Sequence, residues 1–287
     1  MNVVRRASEV REHRLDLKGH AVTLLEGPAG WGEISPLPGY PCDPASARAA
    51  AEEAACAGWP EPVRDEVTVN ALVESSAQFR DDLTPFPCVK VKVGRPELAA
   101  DVALVAGVRQ MVGPSVAIRV DANGAWDEDT AVERLRWLAE FDLELAEQPV
   151  ADLDTLARVR RQVPVPVAAD ECIRTLDDAR RLRALDAADA IVLKVQPLGG
   201  VRAALRIADA AGVPAIVTSM METSVGLAAG LALACALPEL PYACGLGTGA
   251  LLYADVVRNT LLPEGGVLRR RTIVPEPRLL ARYGVRA

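Results

Sequence analysis

The chain reads as an α/β protein: a (β/α) TIM-type barrel with a small N-terminal α+β capping domain that the C-terminal tail completes. Two observations predict this. Five short apolar strands, CVKVKVG, VAIRVDANG, LELAEQP, VPVAADE and AIVLKVQP, carry at their ends Lys92, Asp121, Glu147, Asp170 and Lys194. These residues are 29, 26, 23 and 24 positions apart, about one strand, one helix and two short loops each time. Composition agrees, because 50% of residues are hydrophobic and only 4% aromatic. The core is therefore rich in Ala, Val and Leu, as in parallel sheets covered by helices.

Residues 1–65 form the expected capping α+β domain. Strands are predicted at 11–18 and 21–26, and GPAGWGEISPLPGYP is loop chemistry, dense in Gly and Pro. Residues 45–57 are Ala- and Glu-rich and predict a helix with Asp43 and Pro44 at its start. The barrel is expected over 66–262. Its first strand is VTVNALV, followed by ESSAQFRDDLTPFP. That linker is short for a right-handed crossover with a helix, so the first barrel helix is expected to be abbreviated or distorted.

The rhythm is regular beyond it. A helix over 96–112 presents Leu98, Val102, Val105 and Val108 at helical spacing, and the next, capped near Asp127, presents Val132, Leu135 and Leu138. Helices follow over 153–162, over 177–185 with Thr175 or Leu176 near the start, over GGVRAALRIADAAG, and over 225–236 after the strand PAIVTSM. YACGLG is the eighth strand. The tail, 263–287, is expected to return to the capping domain.

The bulk numbers exclude several functions. A net charge of −7 argues against a nucleic-acid surface, and Arg269, Arg270 and Arg271 read as solvated surface. None of the six cysteines forms a CxxC pair, so a zinc cluster is not expected. The N-terminus shows no apolar secretory core, and the apolar run at 226–237 is too short to span a bilayer. No membrane association and no obligate protein partner are evident, and the expected setting is the cytoplasm.

Charge on buried parallel strands costs several kcal/mol per ion unless it is compensated. A chain that repeats such charges with one period is building a site, and in a parallel barrel that site lies at the C-terminal strand ends. Asp121, Glu147 and Asp170 offer three hard oxygen donors with no nearby His or Cys, which favours Mg²⁺, with Mn²⁺ as a substitute, over zinc. Taken singly, each carboxylate could instead cap the following helix. Lys90 and Lys92 are two apart on one strand, so they share a face, and the flanking valines turn that face inward. Lys194 lies across the barrel. A lysine in such surroundings can act as a base. The implied reaction is proton abstraction beside the carboxylate of a small-molecule substrate. Gly245 and Gly247 of CGLGTG either offer N–H groups to a substrate anion or form a plain turn. Ser219 and Ser224 are substrate contacts or helix caps, and Trp31 is a lid residue or core. His13 and His20 receive no role.

The motifs GWGE, VKVKVG, RVDANGAW, ELAEQP, AADE, VLKVQPLGG and TSMMETSVGLAAG resemble, in order and spacing, the enolase superfamily in its muconate-lactonizing subgroup. They cover about residues 25 to 260. A lysine or histidine base working with Mg²⁺ is a known property of that superfamily. The resemblance implies that Asp121, Glu147 and Asp170 bind Mg²⁺ and that Lys92 removes the α-proton and then helps hydroxide leave as water. It implies that Lys194 stabilises the enediolate, that Lys90 supports Lys92 by like-charge repulsion, and that Asn123 and Glu171 stand near the metal. PLGGVRAALRIA, ETSVGLAAG and LPELPYACGLGT are closest to members that dehydrate 2-succinyl-6-hydroxy-2,4-cyclohexadiene-1-carboxylate to 2-succinylbenzoate in menaquinone biosynthesis. The alternative is an N-succinylamino acid racemase or dipeptide epimerase on the same scaffold. CGLGTG lacks the acidic pair that dipeptide epimerases tend to carry there. The succinyl tail is expected to meet the 32–42 loop.

Overall fold

A computed structural model describes residues 10–80 and 82–285. The chain begins with an antiparallel meander, β1 (Arg11–Asp16), β2 (Ala21–Gly27) and β3 (Gly30–Ile34), backed by α1 (Pro44–Glu52) and a π-turn over Glu53–Ala57. The third strand lies inside the stretch read from sequence as loop. Its glycines serve close approach rather than looping: a Cβ on Gly32 would lie 2.1 Å from the carbonyl oxygen of Ala51. Gly32→Ala is therefore expected to destabilise the chain by about 1–3 kcal/mol through overpacking. A lowered urea midpoint at unchanged m-value checks this.

Seven parallel strands form the central sheet in the order β11, β10, β9, β8, β7, β6, β5. They are β5 (Ala71–Val73), β6 (Cys88–Lys92), β7 (Ala117–Asp121), β8 (Leu143–Glu147), β9 (Val167–Ala169), β10 (Ala190–Leu193) and β11 (Ala215–Val217). Between them run α2 (Leu98–Val112), α3 (Glu128–Leu138), α4 (Leu153–Arg160), α5 (Leu176–Leu185) and α6 (Val201–Ala211), with α7 (Ser224–Ala236) after the last strand. The side chains of Asp127, Asp152 and Thr175 cap α3, α4 and α5, and Thr175 forms a full capping box with Asp178.

The predicted strand VTVNALV is split. Its first half, β4 (Glu66–Thr68), pairs antiparallel with β12 (Val267–Arg269) of the tail, and only the second half joins the parallel sheet. The crossover after β5 holds a single 3₁₀ turn, Ser76–Arg80, which agrees with the shortness of that linker. YACGLG forms no regular strand. Two isolated parallel bridges, Val69 to Cys244 and Thr218 to Gly245, link it to the two edges of the curled sheet. Inside the curl the fully buried Arg119 pairs with Glu144 and donates to the Ala243 carbonyl, tying this closing segment to β7. The tail ends in α8 (Pro277–Tyr283), and Val285 N–H donates to the Arg14 carbonyl of β1.

Candidate active site

The sheet order places the five charged residues in one row: Lys92 on β6, Asp121 on β7, Glu147 on β8, Asp170 just past β9 and Lys194 just past β10. The row is in register, with Lys92 opposite Asp121 and Asp121 opposite Glu147. Asp121 and Glu147 are fully buried and Asp170 nearly so.

Lysine side chains hold all three acids. Lys90 Nζ lies 2.8 Å from Asp121 and 2.6 Å from Glu147. Lys92 Nζ lies 2.6 Å from Asp121 and 2.7 Å from Asn123 Oδ1. Lys194 donates to Asp170. The surrounding charges set the titration of Lys90, Asp121 and Glu147. Burial opposes ionisation of Lys90, but the facing carboxylates of Asp121, Glu147 and Asp170 outweigh it and lift Lys90 well above the ordinary lysine range. Burial likewise opposes the charged form of Asp121, yet Lys90 and Lys92 depress it far below the usual carboxylate range. Glu147 moves upward, through burial and the neighbouring charge of Asp121.

Asn123 occupies a left-handed turn at φ 48° and bridges the row to Glu171, donating from Nδ2 over 2.9 Å. Burial and the charge of Asp170 raise the pKa of Glu171, whose second carboxylate oxygen is buried without a partner. The loop after Lys92 is fixed from α2. Buried Asp101 accepts from the N–H groups of Gly94 and Arg95 and pairs with Arg95 and Arg134.

A cavity of about 530 Å³ opens over the row, lined by Lys92, Asp121, Asp170 and Lys194 together with apolar Leu37 and Met220. Ser219 and Gly247 line it as well. Ser219 Oγ is already bonded to the Gly245 carbonyl and to Thr248 Oγ1. Gly245 does not supply an anion donor, because its N–H donates to the Val217 carbonyl. A Cβ at Gly245 would instead strike the Thr218 side chain at 2.8 Å. Ser224 is not the helix cap: Thr223 caps α7, and Ser224 Oγ donates to Asp255.

Sequence reasoning missed three groups on the cavity wall. Asn70 Oδ1 and Thr218 Oγ1 are buried without protein partners. Tyr40, from the loop after β3, donates its hydroxyl to Asp170 Oδ1 at 2.7 Å, and its ring faces Lys194 Nζ at 4.3 Å. Burial and the adjacent Asp170 charge hold the Tyr40 hydroxyl firmly protonated. A tyrosine in a Gly- and Pro-rich loop shows no periodicity, so the sequence carried no signal for its inward direction.

The donor set can be tested against a metal. Among the described residues, no three His, Cys, Asp or Glu side chains are gathered around one ion-sized point. Lys90 bridges Asp121 and Glu147 instead. Three buried carboxylates on consecutive strand ends nevertheless offer hard oxygen donors, the kind that divalent cations of the Mg²⁺ class take.

A second pair of buried acids, Glu33 and Glu222, lies outside the row. Burial and the nearby Glu33 charge push Glu222 up to about 7. From about pH 4.5, the ordinary glutamate value, to about pH 7, the folded chain keeps a proton that the unfolded chain releases. Stability therefore falls with rising pH through that window, by up to about 1.4 kcal/mol per pH unit. Glu222→Gln is expected to remove this slope. The variant should match wild type near pH 4.5 and exceed it by a few kcal/mol at pH 8 in urea unfolding. A difference that does not change with pH would contradict the assignment.

Comparison with known proteins places this geometry. The Enolase C-terminal domain-like family model matches residues 71–276. The chain is 55% identical to an o-succinylbenzoate synthase of Thermobifida fusca, over 89% of this chain and 83% of that one. It is 45% identical to the o-succinylbenzoate synthase of Mycolicibacterium smegmatis, over 91% and 83%. Among solved structures, the muconate lactonizing enzyme of Pseudomonas putida superposes with a TM-score of 0.85 at 22% identity, over 96% of this chain and 99% of that one. A dipeptide epimerase of Enterococcus faecalis superposes with a TM-score of 0.79 at 26% identity, over 91% and 95%. The first of these structural likenesses speaks to fold, and the relatives of high identity to lineage. The chain belongs to the Enolase C-terminal domain-like family of the enolase superfamily, alongside the actinobacterial o-succinylbenzoate synthases.

Proposed function

We propose that the chain is an o-succinylbenzoate synthase, a lyase that dehydrates 2-succinyl-6-hydroxy-2,4-cyclohexadiene-1-carboxylate to 2-succinylbenzoate in menaquinone biosynthesis. The observation that carries this reading is the single row of Lys92, Asp121, Glu147, Asp170 and Lys194, of which Lys92, Asp121, Asp170 and Lys194 line one cavity. The curled sheet, closed through Cys244 and Gly245, is read as a TIM-type barrel spanning 66–262. Residues 10–65, with the tail 263–285, are read as its capping domain; residues 1–9, 286 and 287 lie outside the described residues. No helix among the described residues is long and apolar enough to cross a membrane. The six free cysteines suit a reducing cytoplasm.

Asp121, Glu147 and Asp170 would hold the divalent cation, Mg²⁺ or in its place Mn²⁺. When bound, that cation supplies Lewis-acid stabilisation of the negative charge developing on the substrate carboxylate. Lys92 is the base. Its side chain is 29% exposed, against 11% for Lys90, whose Nζ is closed in by Asp121 and Glu147. Lys92 takes the proton from the carbon bearing the carboxylate, and the C–H electrons pass into the enediolate. As that charge returns to the ring, the C–O bond to the hydroxyl breaks, the new double bond completes the aromatic ring, and the Lys92 ammonium returns the proton so that hydroxide leaves as water. Lys194 keeps its positive charge opposite, held by Asp170 and the face of Tyr40. Lys90 stays charged and supports Lys92. Asn123 orients Lys92 and connects it to Glu171.

The test is aromatic product formation with Mg²⁺, after chelation, and after return of Mg²⁺ or Mn²⁺. The expected result is turnover that chelation abolishes and either ion restores. No turnover by folded, metal-loaded protein would overturn the reading. Deuterium exchange into N-succinylamino acids without dehydration would reassign the chain as a racemase.

A further inference from the structure

Glu33 and Glu222, with Gln196, form a buried polar cluster that takes no part in the mechanism above. All three side chains are at most 4% exposed. Glu33, on β3, accepts four hydrogen bonds from the barrel and its own strand end. The donors are Ser35 Oγ at 2.6 Å, Thr223 N at 3.0 Å, Thr223 Oγ1, and Gly226 N at 2.9 Å. Its carboxylate therefore occupies the N-terminus of α7 from a different part of the chain, where a negative charge is favourable.

Gln196 lies two residues beyond Lys194, and its amide is fully used. Its Oε1 accepts from Ser35 N at 2.9 Å, and its Nε2 donates to Ser35 Oγ at 3.1 Å and to Glu222 Oε1 at 2.5 Å. Gly226 leaves room for both acids. A Cβ there would meet Glu222 Cβ at 2.8 Å and Glu33 Cδ at 3.1 Å. A glycine inside a helix is otherwise unfavourable relative to alanine, so the cluster explains its presence.

The cluster grips Ser35, and five residues later the same loop delivers Tyr40 onto Asp170 and Lys194. Leu37 and Tyr40 line the cavity. We propose that Gln196, braced by Glu222 and Glu33, is a positioning residue: it pins the root of the 35–42 loop to the strand that carries Lys194 and so sets Tyr40 and Leu37 as a wall of the substrate cavity. The loop thus takes its register from the Lys194 side of the barrel rather than from its own chemistry.

The test is a swap. Gln196→Glu removes the amide donor to Glu222 and to Ser35 Oγ and, at pH 8, sets two buried acids face to face with at most one proton between them. Adding Glu222→Gln restores one donor and one acceptor in the opposite sense. Gln196→Leu, similar in volume, serves if the single carboxylate variant does not fold. Hydrogen–deuterium exchange over residues 35–42 is read without any substrate, and KM and kcat are read with the cyclohexadiene carboxylate. The single variant is expected to exchange these loop amides roughly tenfold faster and to raise KM roughly tenfold, with a smaller change in kcat, as expected for loss of a buried hydrogen bond. The Gln196→Glu, Glu222→Gln double variant is expected to recover most of both. Wild-type exchange over 35–42 in both Gln196 variants, or a double variant as impaired as the single, would overturn the proposal. The kinetic arm rests on the dehydration reading and the exchange arm does not. An inactive wild type therefore sinks that reading while the exchange data still decide the clasp.

Discussion

Lys92→Ala is expected to lower kcat for the cyclohexadiene carboxylate by about 10²–10⁴-fold, the usual contribution of a positioned general base. The fold should survive, because Lys90 still compensates Asp121 and Glu147 after Lys92 is gone. Circular dichroism and urea unfolding close to wild type would show this. Lys92→Arg should not rescue, since guanidinium keeps its proton throughout the accessible pH range. Lys90 cannot take over. Its contacts to Asp121 and Glu147 stabilise the charged form and occupy its Nζ. Activity within tenfold of wild type in either Lys92 variant would remove Lys92 from the base role.

The second large effect is expected at Lys194. Lys194→Ala should cost about 10²–10³-fold in kcat, comparable to loss of one preorganised group that stabilises developing negative charge. Here arginine is informative in the opposite sense. If Lys194 acts by charge alone, Lys194→Arg keeps that charge beside Asp170 and Tyr40 and should recover a large part of the activity. If the chain were a racemase, both lysines would have to exchange protons, and Lys194→Arg would be as dead as Lys92→Arg. The two arginine variants, measured side by side, therefore separate one-base dehydration from two-base racemisation by rate alone.

The row itself was legible in the sequence because each charge interrupts a strand that is otherwise apolar, and the strands recur with one period. The helix caps Asp127 and Thr175 were legible because the capping residue and its partner are three positions apart. Legibility ended where an element is defined by distant contacts. The strand Gly30–Ile34 is rich in glycine because the α1 backbone presses on it, and local composition reads that as loop. VTVNALV reads as one continuous β-prone run, yet it divides near Asn70 because its two halves find different partners, β12 and β6. YACGLG closes the curl through two bridges rather than a regular ladder. In the site, the pattern CGLGTG leaves Gly245 as either an anion donor or part of a plain turn, and only the fold shows that its N–H belongs to that closure. Tyr40, Glu33 and Gln196 act across 130 to 190 residues of chain, beyond the reach of any local pattern.

In the proposed mechanism the five charged residues make one site, with a cation between three carboxylates and the reacting carbon between two lysines. The most direct measurement is a crystal structure with Mg²⁺ and 2-succinylbenzoate bound. The ion is expected to be ligated by Asp121, Glu147 and Asp170, and the ring carbon bearing the carboxylate to be flanked by Lys92 Nζ on one face and Lys194 Nζ on the other. An ion held elsewhere, or both lysines on the same face of the ring, would contradict it.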